Sequence, residues 1–181
     1  AFYGHQYWSL SPPTKEHFST TSGIPVGIDS DLEYFGKLES LILDKIVAIP
    51  SRLSSITKSS DFYFALCSHL LAKDDLSFIS VWSPSYLLKV HEFISENLEK
   101  LLVQTNVTQG RKDQIRHGIS MGNWKSIFPK LEVMSCWTDA QASLWLPEIR
   151  RMMEGVHIQG KGLLATEGVT SIPINGYNNA L

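Results

Sequence analysis

The sequence predicts an α/β fold, a mainly parallel sheet with flanking helices, and three observations carry that prediction. Short apolar, β-rich runs at 76–82, 131–137 and 156–159 alternate with longer segments of helical periodicity. The order strand, helix, strand, helix, strand is the grammar of a parallel, doubly wound sheet. With 181 residues, 43% of them hydrophobic, the chain can bury the core of a single domain.

Taken in order, residues 1–31 are loop-rich, punctuated by Ser11-Pro12-Pro13, Ser22-Gly23 and Pro25. Residues 32–75 are helical. Ser30-x-x-Glu33 is a capping box before a helix to about Ile49, which Pro50 stops. Ser60-Asp61 opens a second helix to about Lys73, with Phe62, Leu66 and Leu70 on one face. Residues 76–175 form the strand-helix-strand core. Its first strand, 76–82, runs into Ser83-Pro84, an N-cap followed by proline at the first helical position. The helix that follows reaches about Leu102 and buries Leu87, Leu88, Val90, Phe93, Ile94, Leu98 and Leu101. A polar linker at 103–109 leads to a helix over about 112–121 and a turn at Gly122-Asn123. After the strand at 131–137, Thr138-x-x-Gln141 is a second capping box, opening a helix that Gly155 ends.

Composition excludes several function classes. The net charge is −2, only 19% of residues are charged, and no basic stripe suits nucleic acid or an anionic membrane. No apolar run is long enough to span a bilayer. Cys67 and Cys136 lie outside any C-x-x-C pattern, which fits buried thiols in an intracellular, cytoplasmic protein. Without an initiator Met or a terminating element, the chain reads as a piece of a longer protein.

The segment richest in chemistry is Gly160-Lys161-Gly162-Leu163-Leu164-Ala165-Thr166-Glu167-Gly168. It sets a hydroxyl and a carboxylate side by side where glycines let a ligand approach the backbone. A hydroxyl bonds a phosphate oxygen and a carboxylate holds Mg²⁺. Two other readings of these glycines fail. Gly155, Gly160 and Lys161 have the spacing of a phosphate loop, but Gly162 stands where Ser or Thr should be. Gly160, Gly162 and Ala165 fit a dinucleotide fingerprint, but the helix and the acidic residue some 20 positions on are missing.

In parallel sheets ligands sit beyond the carboxyl ends of the strands. Three junctions fall there: Trp82-Ser83, Trp137-Thr138-Asp139 and the loop from Gly160 to Glu167. At these junctions and beyond, the chain resembles the auxin-responsive acyl-acid amido synthetases (the Gretchen Hagen family), especially their bacterial relatives. The matching stretches are Tyr7 to Pro13, Gly23 to Gly27, Ile79 to Ser85, Phe128 to Leu131, Ser135 to Asp139 and Gln159 to Pro173, in the right order over nearly the whole chain.

The resemblance implies the central part of the large N-terminal domain of an adenylate-forming enzyme. The parent would join a carboxylic acid to ATP as an acyl-adenylate, with Mg²⁺, and an amine, commonly an amino acid, would displace AMP. Residue by residue, it implies Thr166 as phosphate contact and Glu167 as Mg²⁺ ligand. It places Thr138, Gly160, Leu164 and Ala165 near the nucleotide, with Trp82 and Trp137 as candidate walls of the acid pocket. Leu163-Leu164 stand where many adenylate-forming enzymes carry Tyr-Gly, so the ring that meets adenine is absent from that position. The family's phosphate loop belongs upstream of residue 1. Ser19-Thr20-Thr21-Ser22-Gly23 imitates it but belongs to the block leading into Ile24 to Gly27. The ribose-binding Asp and the C-terminal domain with its Lys belong downstream.

Plainer readings stand beside these. Thr138 is equally a helix cap, and Trp82 and Trp137 are equally core residues. Lys161, between two glycines, is placed to reach a phosphate, but a surface lysine on a turn is the plainer account. Cys136 and His157 lie near adjacent strand ends, but a Cys inside an apolar strand is inert and His157 alternates outward. The histidines show no zinc spacing. Two alternative functions remain: acyl transfer to a thiol such as coenzyme A, and a non-catalytic binding module that retains the fold.

Overall fold

A computed structural model describes residues 3–9, 18–23, 25–26, 45–50, 53, 55–162, 164–165, 168–172 and 174. Its centre is a four-stranded, wholly parallel sheet built from β1 (Gln6–Trp8), β4 (Phe78–Ser80), β5 (Val133–Cys136) and β6 (His157–Gly160), in that spatial order. Two short antiparallel pairs accompany it. One joins β2 (Phe18–Ser19) to β3 (Pro25–Val26), and the other joins β7 (Leu164–Ala165) to β8 (Gly168–Val169).

The α/β class with a parallel sheet and flanking helices is as the sequence predicts. The described strands run in chain order, without the reversal that a doubly wound sheet needs. β1 lies inside the stretch expected to be loop-rich. Three residues are too few for a period of two to stand out, yet Tyr7 is fully buried between its half-exposed neighbours.

Register explains the core. Tyr7, Ile79, Met134 and Ile158 pair in one row across the four strands. Three of them are fully buried. Their face carries the helices: the Tyr7 hydroxyl donates to that of Tyr86, on the helix that starts at Pro84, at 3.1 Å.

α1 (Ser59–Leu71) presents Phe62, Leu66 and Leu70 at i, i+4 and i+8, with Cys67 and Leu71 beside them, all buried. α2 (Pro84–Gln104) starts at Ser83-Pro84 and buries Leu87, Val90, Ile94, Leu101 and Leu102. It kinks at Asn97 (φ −114°, ψ 15°), whose side-chain amide donates to the Phe93 carbonyl four residues back. α3 (Gln109–Met121) begins three residues earlier than periodicity indicates, because the Thr108 hydroxyl caps it by accepting from the Arg111 backbone N–H. Gly122 ends it in the left-handed conformation (φ 61°). The short α4 (Trp124–Ile127) follows, capped by the Asn123 side chain.

The capping box at Thr138 and Gln141 does not form. A 3₁₀ helix over Ala140–Trp145 stands there, with Asp139 at its N-cap position and no side-chain cap, and leads into α5 (Leu146–Met152). The capping box at Ser30 and Glu33 lies outside the described residues.

Candidate functional site

Because strand side chains alternate, Trp8, Ser80, Ser135 and Gln159 form one row on the face opposite the helices. Past the strand ends the next row on that face is Trp82, Trp137 and Lys161. The ladder itself continues into this edge. The Val81 N–H donates to the Ser135 carbonyl at 3.0 Å, that of Trp137 to Trp82 at 2.9 Å, and that of Lys161 to Cys136 at 2.8 Å. These residues therefore inherit the rigidity of the sheet, which is what precise placement of a ligand requires.

The three side chains pack together. The rings of Trp82 and Trp137 lie 5.5 Å apart, tilted by 47°. The Lys161 ammonium sits 4.7 Å from the centre of the Trp82 ring and donates to the Ser80 hydroxyl at 2.8 Å. Burial draws Lys161 below its ordinary pKa, with the Cys136 thiol acting in the opposite direction. The expectation of a surface lysine on a turn is thus corrected: Lys161 is half-buried and braced against the sheet. A contact between residues 81 positions apart leaves no mark in local sequence, so nothing there could have found it.

Trp82 is 51% exposed, so it is no core residue. Trp137 is more enclosed, and its indole N–H is buried without a hydrogen-bond partner among the described residues. Such an orphan donor costs free energy and marks either strain or an absent partner. Thr138 is not used as a cap; its hydroxyl donates to the neighbouring Asp139 carboxylate at 3.3 Å. Ala140, two residues on, is held at φ 51°, a left-handed conformation that non-glycine residues seldom adopt. Across the edge, the Ser83 and Ser85 hydroxyls bond to each other at 2.7 Å at the start of α2.

Gly160 ends β6 opposite Cys136. Leu164 and Ala165 form β7, and Ala165 pairs with Gly168 on β8. Thr166 and Glu167, between these two strands in sequence, lie outside the described residues. The structure therefore brings Trp82, Trp137 and Lys161 together at one edge, with Gly160 beside Lys161 in the chain. No group of three or more His, Cys, Asp or Glu side chains converges as a metal cradle among the described residues.

Two other groups fall away. Val133 pairs with His157 and Cys136 with Gly160, which sets Cys136 and His157 three positions, about 10 Å, apart along the sheet. Burial pushes the Cys136 thiol up to about 11, partly opposed by Lys161. A separate cleft of about 790 Å³ lies between α2 and α5, lined by Tyr86, His91, Trp145, Glu148 and Arg151 among others. None of the candidate site residues read from the sequence lines it.

No protein-family model matches the chain, and no curated protein does. Solved structures do. The chain is similar to a structure described as GH3.15 acyl acid amido synthetase, with a TM-score of 0.71 over 93% of this chain and 34% of that one, at 13% identity. It is also similar to AtGH3.15 acyl acid amido synthetase in complex with 2,4-DB, with a TM-score of 0.68 over 90% and 33%, at 14% identity. At such identities the likeness is one of fold. The chain spans about a third of the length of the structures it matches.

Proposed function

We propose that this chain is part of an ATP-dependent ligase that activates a carboxylic acid as its acyl-adenylate and conjugates it to an amine, an amino acid being the favoured acceptor, in the cytoplasm. One observation supports this best. On a fold shared with acyl acid amido synthetases, two indoles and a lysine meet at the carboxyl edge of the sheet, and the chain runs on from there into Thr166-Glu167.

The chemistry suits such an edge. A carboxylate is a poor electrophile. Its oxygen attacks the α-phosphorus of ATP, the bond from that phosphorus to the bridging oxygen breaks, and pyrophosphate leaves. The amine nitrogen then attacks the acyl carbon, the bond to AMP breaks, and the ammonium proton is lost to solvent. Both steps gain from holding the reactants in line rather than from acid–base work.

In this reading Trp82 and Trp137 wall the acid, while Thr138, Gly160, Leu164 and Ala165 border the nucleotide. Thr166 contacts phosphate and Glu167 is the ligand offered to Mg²⁺. Among the described residues no group of three or more His, Cys, Asp or Glu side chains converges to add ligands. The testing experiment is acid-dependent ATP–pyrophosphate exchange by the intact protein, with and without Glu167→Ala, against aromatic and fatty acids. Exchange that needs both an acid and Glu167 supports the reading. Absence of exchange and of ATP binding in a folded protein overturns it in favour of a binding module. Amide formation with amino acids, against thioester formation with coenzyme A, identifies the acceptor.

A further inference from the structure

We propose that Lys161 holds the carboxylate of the acid substrate, fixing its reactive oxygen at the carboxyl edge of the sheet while Trp82 and Trp137 receive its apolar body. The proposal rests on the ligase reading above and adds to it a residue and a task that neither the fold likeness nor the Thr-Glu motif assigns.

Four observations converge. A half-buried ammonium costs free energy unless a partner compensates it. Among the described residues Lys161 has a neutral hydroxyl, Ser80, and the face of an indole, Trp82, and no carboxylate. The site thus keeps a cation in a fixed place without neutralising it, which is what an anion-binding site needs before its ligand arrives. The Ser80 bond and the ring under the ammonium restrict its position, so less side-chain entropy is lost when an anion docks.

The anion is a carboxylate with an apolar body, not a polyphosphate. A triphosphate brings several charges and needs several cations or a run of backbone donors. Here one ammonium stands beside two large indoles, and the Trp82 ring lies half open to whatever enters. Trp137, packed against Trp82 at this edge, also keeps a buried indole N–H that has no hydrogen-bond partner among the described residues.

The step balances without a proton from Lys161. The held carboxylate oxygen forms its bond to the α-phosphorus and pyrophosphate departs with the electron pair. Once the adenylate exists the carboxyl group itself is neutral, and the negative charge nearest to the held oxygen is that of the α-phosphate.

The test compares the intact protein with Lys161→Met, which keeps the apolar stem, and with Ser80→Ala, which keeps the charge and removes its brace. For Lys161→Met, the KM for the acid in pyrophosphate exchange is expected to rise about tenfold or more. The KM for ATP should stay within about twofold. Ser80→Ala should move the same constant in the same direction by less. Tryptophan emission, titrated with a carboxylic acid and with its neutral primary amide, supplies a readout independent of turnover. The wild type should prefer the acid, and Lys161→Met should lose that preference. An unchanged acid KM in Lys161→Met, or an equal rise for ATP, overturns the proposal. If Lys161→Met does not fold, an unchanged acid KM in Ser80→Ala overturns it. If the wild type exchanges with no acid, the ligase reading falls, and the emission titration still decides whether Lys161 binds carboxylates.

Discussion

Ser80 ends β4 and Lys161 follows the last residue of β6, strands that are not neighbours, yet their side chains meet at 2.8 Å across the end of β5. The lysine stem spans a whole strand, and its head rests on Trp82. The contact cross-braces β4 and β6 at the edge where strands normally fray. It also fixes where a positive charge stands beside the indole of Trp82 and the hydroxyl of Ser80. The site is thus shaped by the sheet and not by a mobile loop.

Trp137→Phe separates the cost of this site from its use. The substitution keeps a ring against Trp82 and removes the buried donor that has no partner among the described residues. Stability should therefore be unchanged or higher by up to about 1 kcal/mol, because an unmet donor no longer has to be desolvated. Affinity for the acid should fall. Thermal unfolding and acid titration on one preparation check both. A clear loss of stability would mean that the indole N–H is satisfied in the native protein.

Gly118→Ala should destabilise despite the helix preference of alanine. Gly118 lies in α3 where α4 crosses it. An added methyl would sit 2.3 Å from the Ile127 side chain and 2.9 Å from its backbone nitrogen. The gain in propensity is about 1 kcal/mol. Overpacking against a backbone atom costs about 1–3 kcal/mol. The net loss should be up to about 2 kcal/mol in urea unfolding, and a stabilised variant would contradict the close approach of these helices.

Arg111 joins that same region from within. Its guanidinium donates to the carbonyls of Leu71 (3.3 Å) and Lys73 (3.0 Å) and to that of Ile127. Leu71 and Ile127 end α1 and α4, so the cation meets the negative poles of two helices. Its plane also lies 5.3 Å from the Phe128 ring. Arg111→Met would leave those carbonyls buried and unpaired. A loss of about 3 kcal/mol or more is expected in chemical unfolding, at about 1 kcal/mol or more for each abandoned acceptor.

Much of the fold was legible in the chain because long amphipathic helices and buried parallel strands have strong periods. The rows through Phe62, Leu66 and Leu70 and through Leu87, Val90 and Ile94 are buried as their spacing requires. What escaped reading has physical reasons. β1 is three residues long and shows its pattern only through Tyr7. The start of α3 depends on one hydroxyl at Thr108 outranking the polar look of its neighbours. The capping box at Thr138 is the right spacing in the wrong backbone, since Ala140 turns left-handed and a 3₁₀ helix follows. Of the site, the two indoles could be placed at the strand ends from sequence alone. Lys161 falls in the loop placed at the third strand end, but its contacts could not be read, because a long flexible stem reaches a partner that only sheet order brings near.

The last prediction concerns acid. The Trp124 indole N–H donates to Nδ1 of His91 at 3.0 Å, which requires an imidazole without a proton on that nitrogen. Burial draws His91 below its ordinary pKa of 6.5, and the Glu148 carboxylate opposes this only in part. Below pH 6.5 the unfolded chain therefore takes up a proton that the folded protein refuses. The stability involved is fully present above that pH and is lost as pH falls toward the lower folded value. Unfolding free energy should be flat from about pH 8 to 7 in this respect and then decline. His91→Gln should remove that part of the decline, and it should also lower stability at pH 7.5 by about 1 kcal/mol if the Trp124 bond weakens. The same acid slope in wild type and variant would show that Trp124 does not depend on a neutral His91.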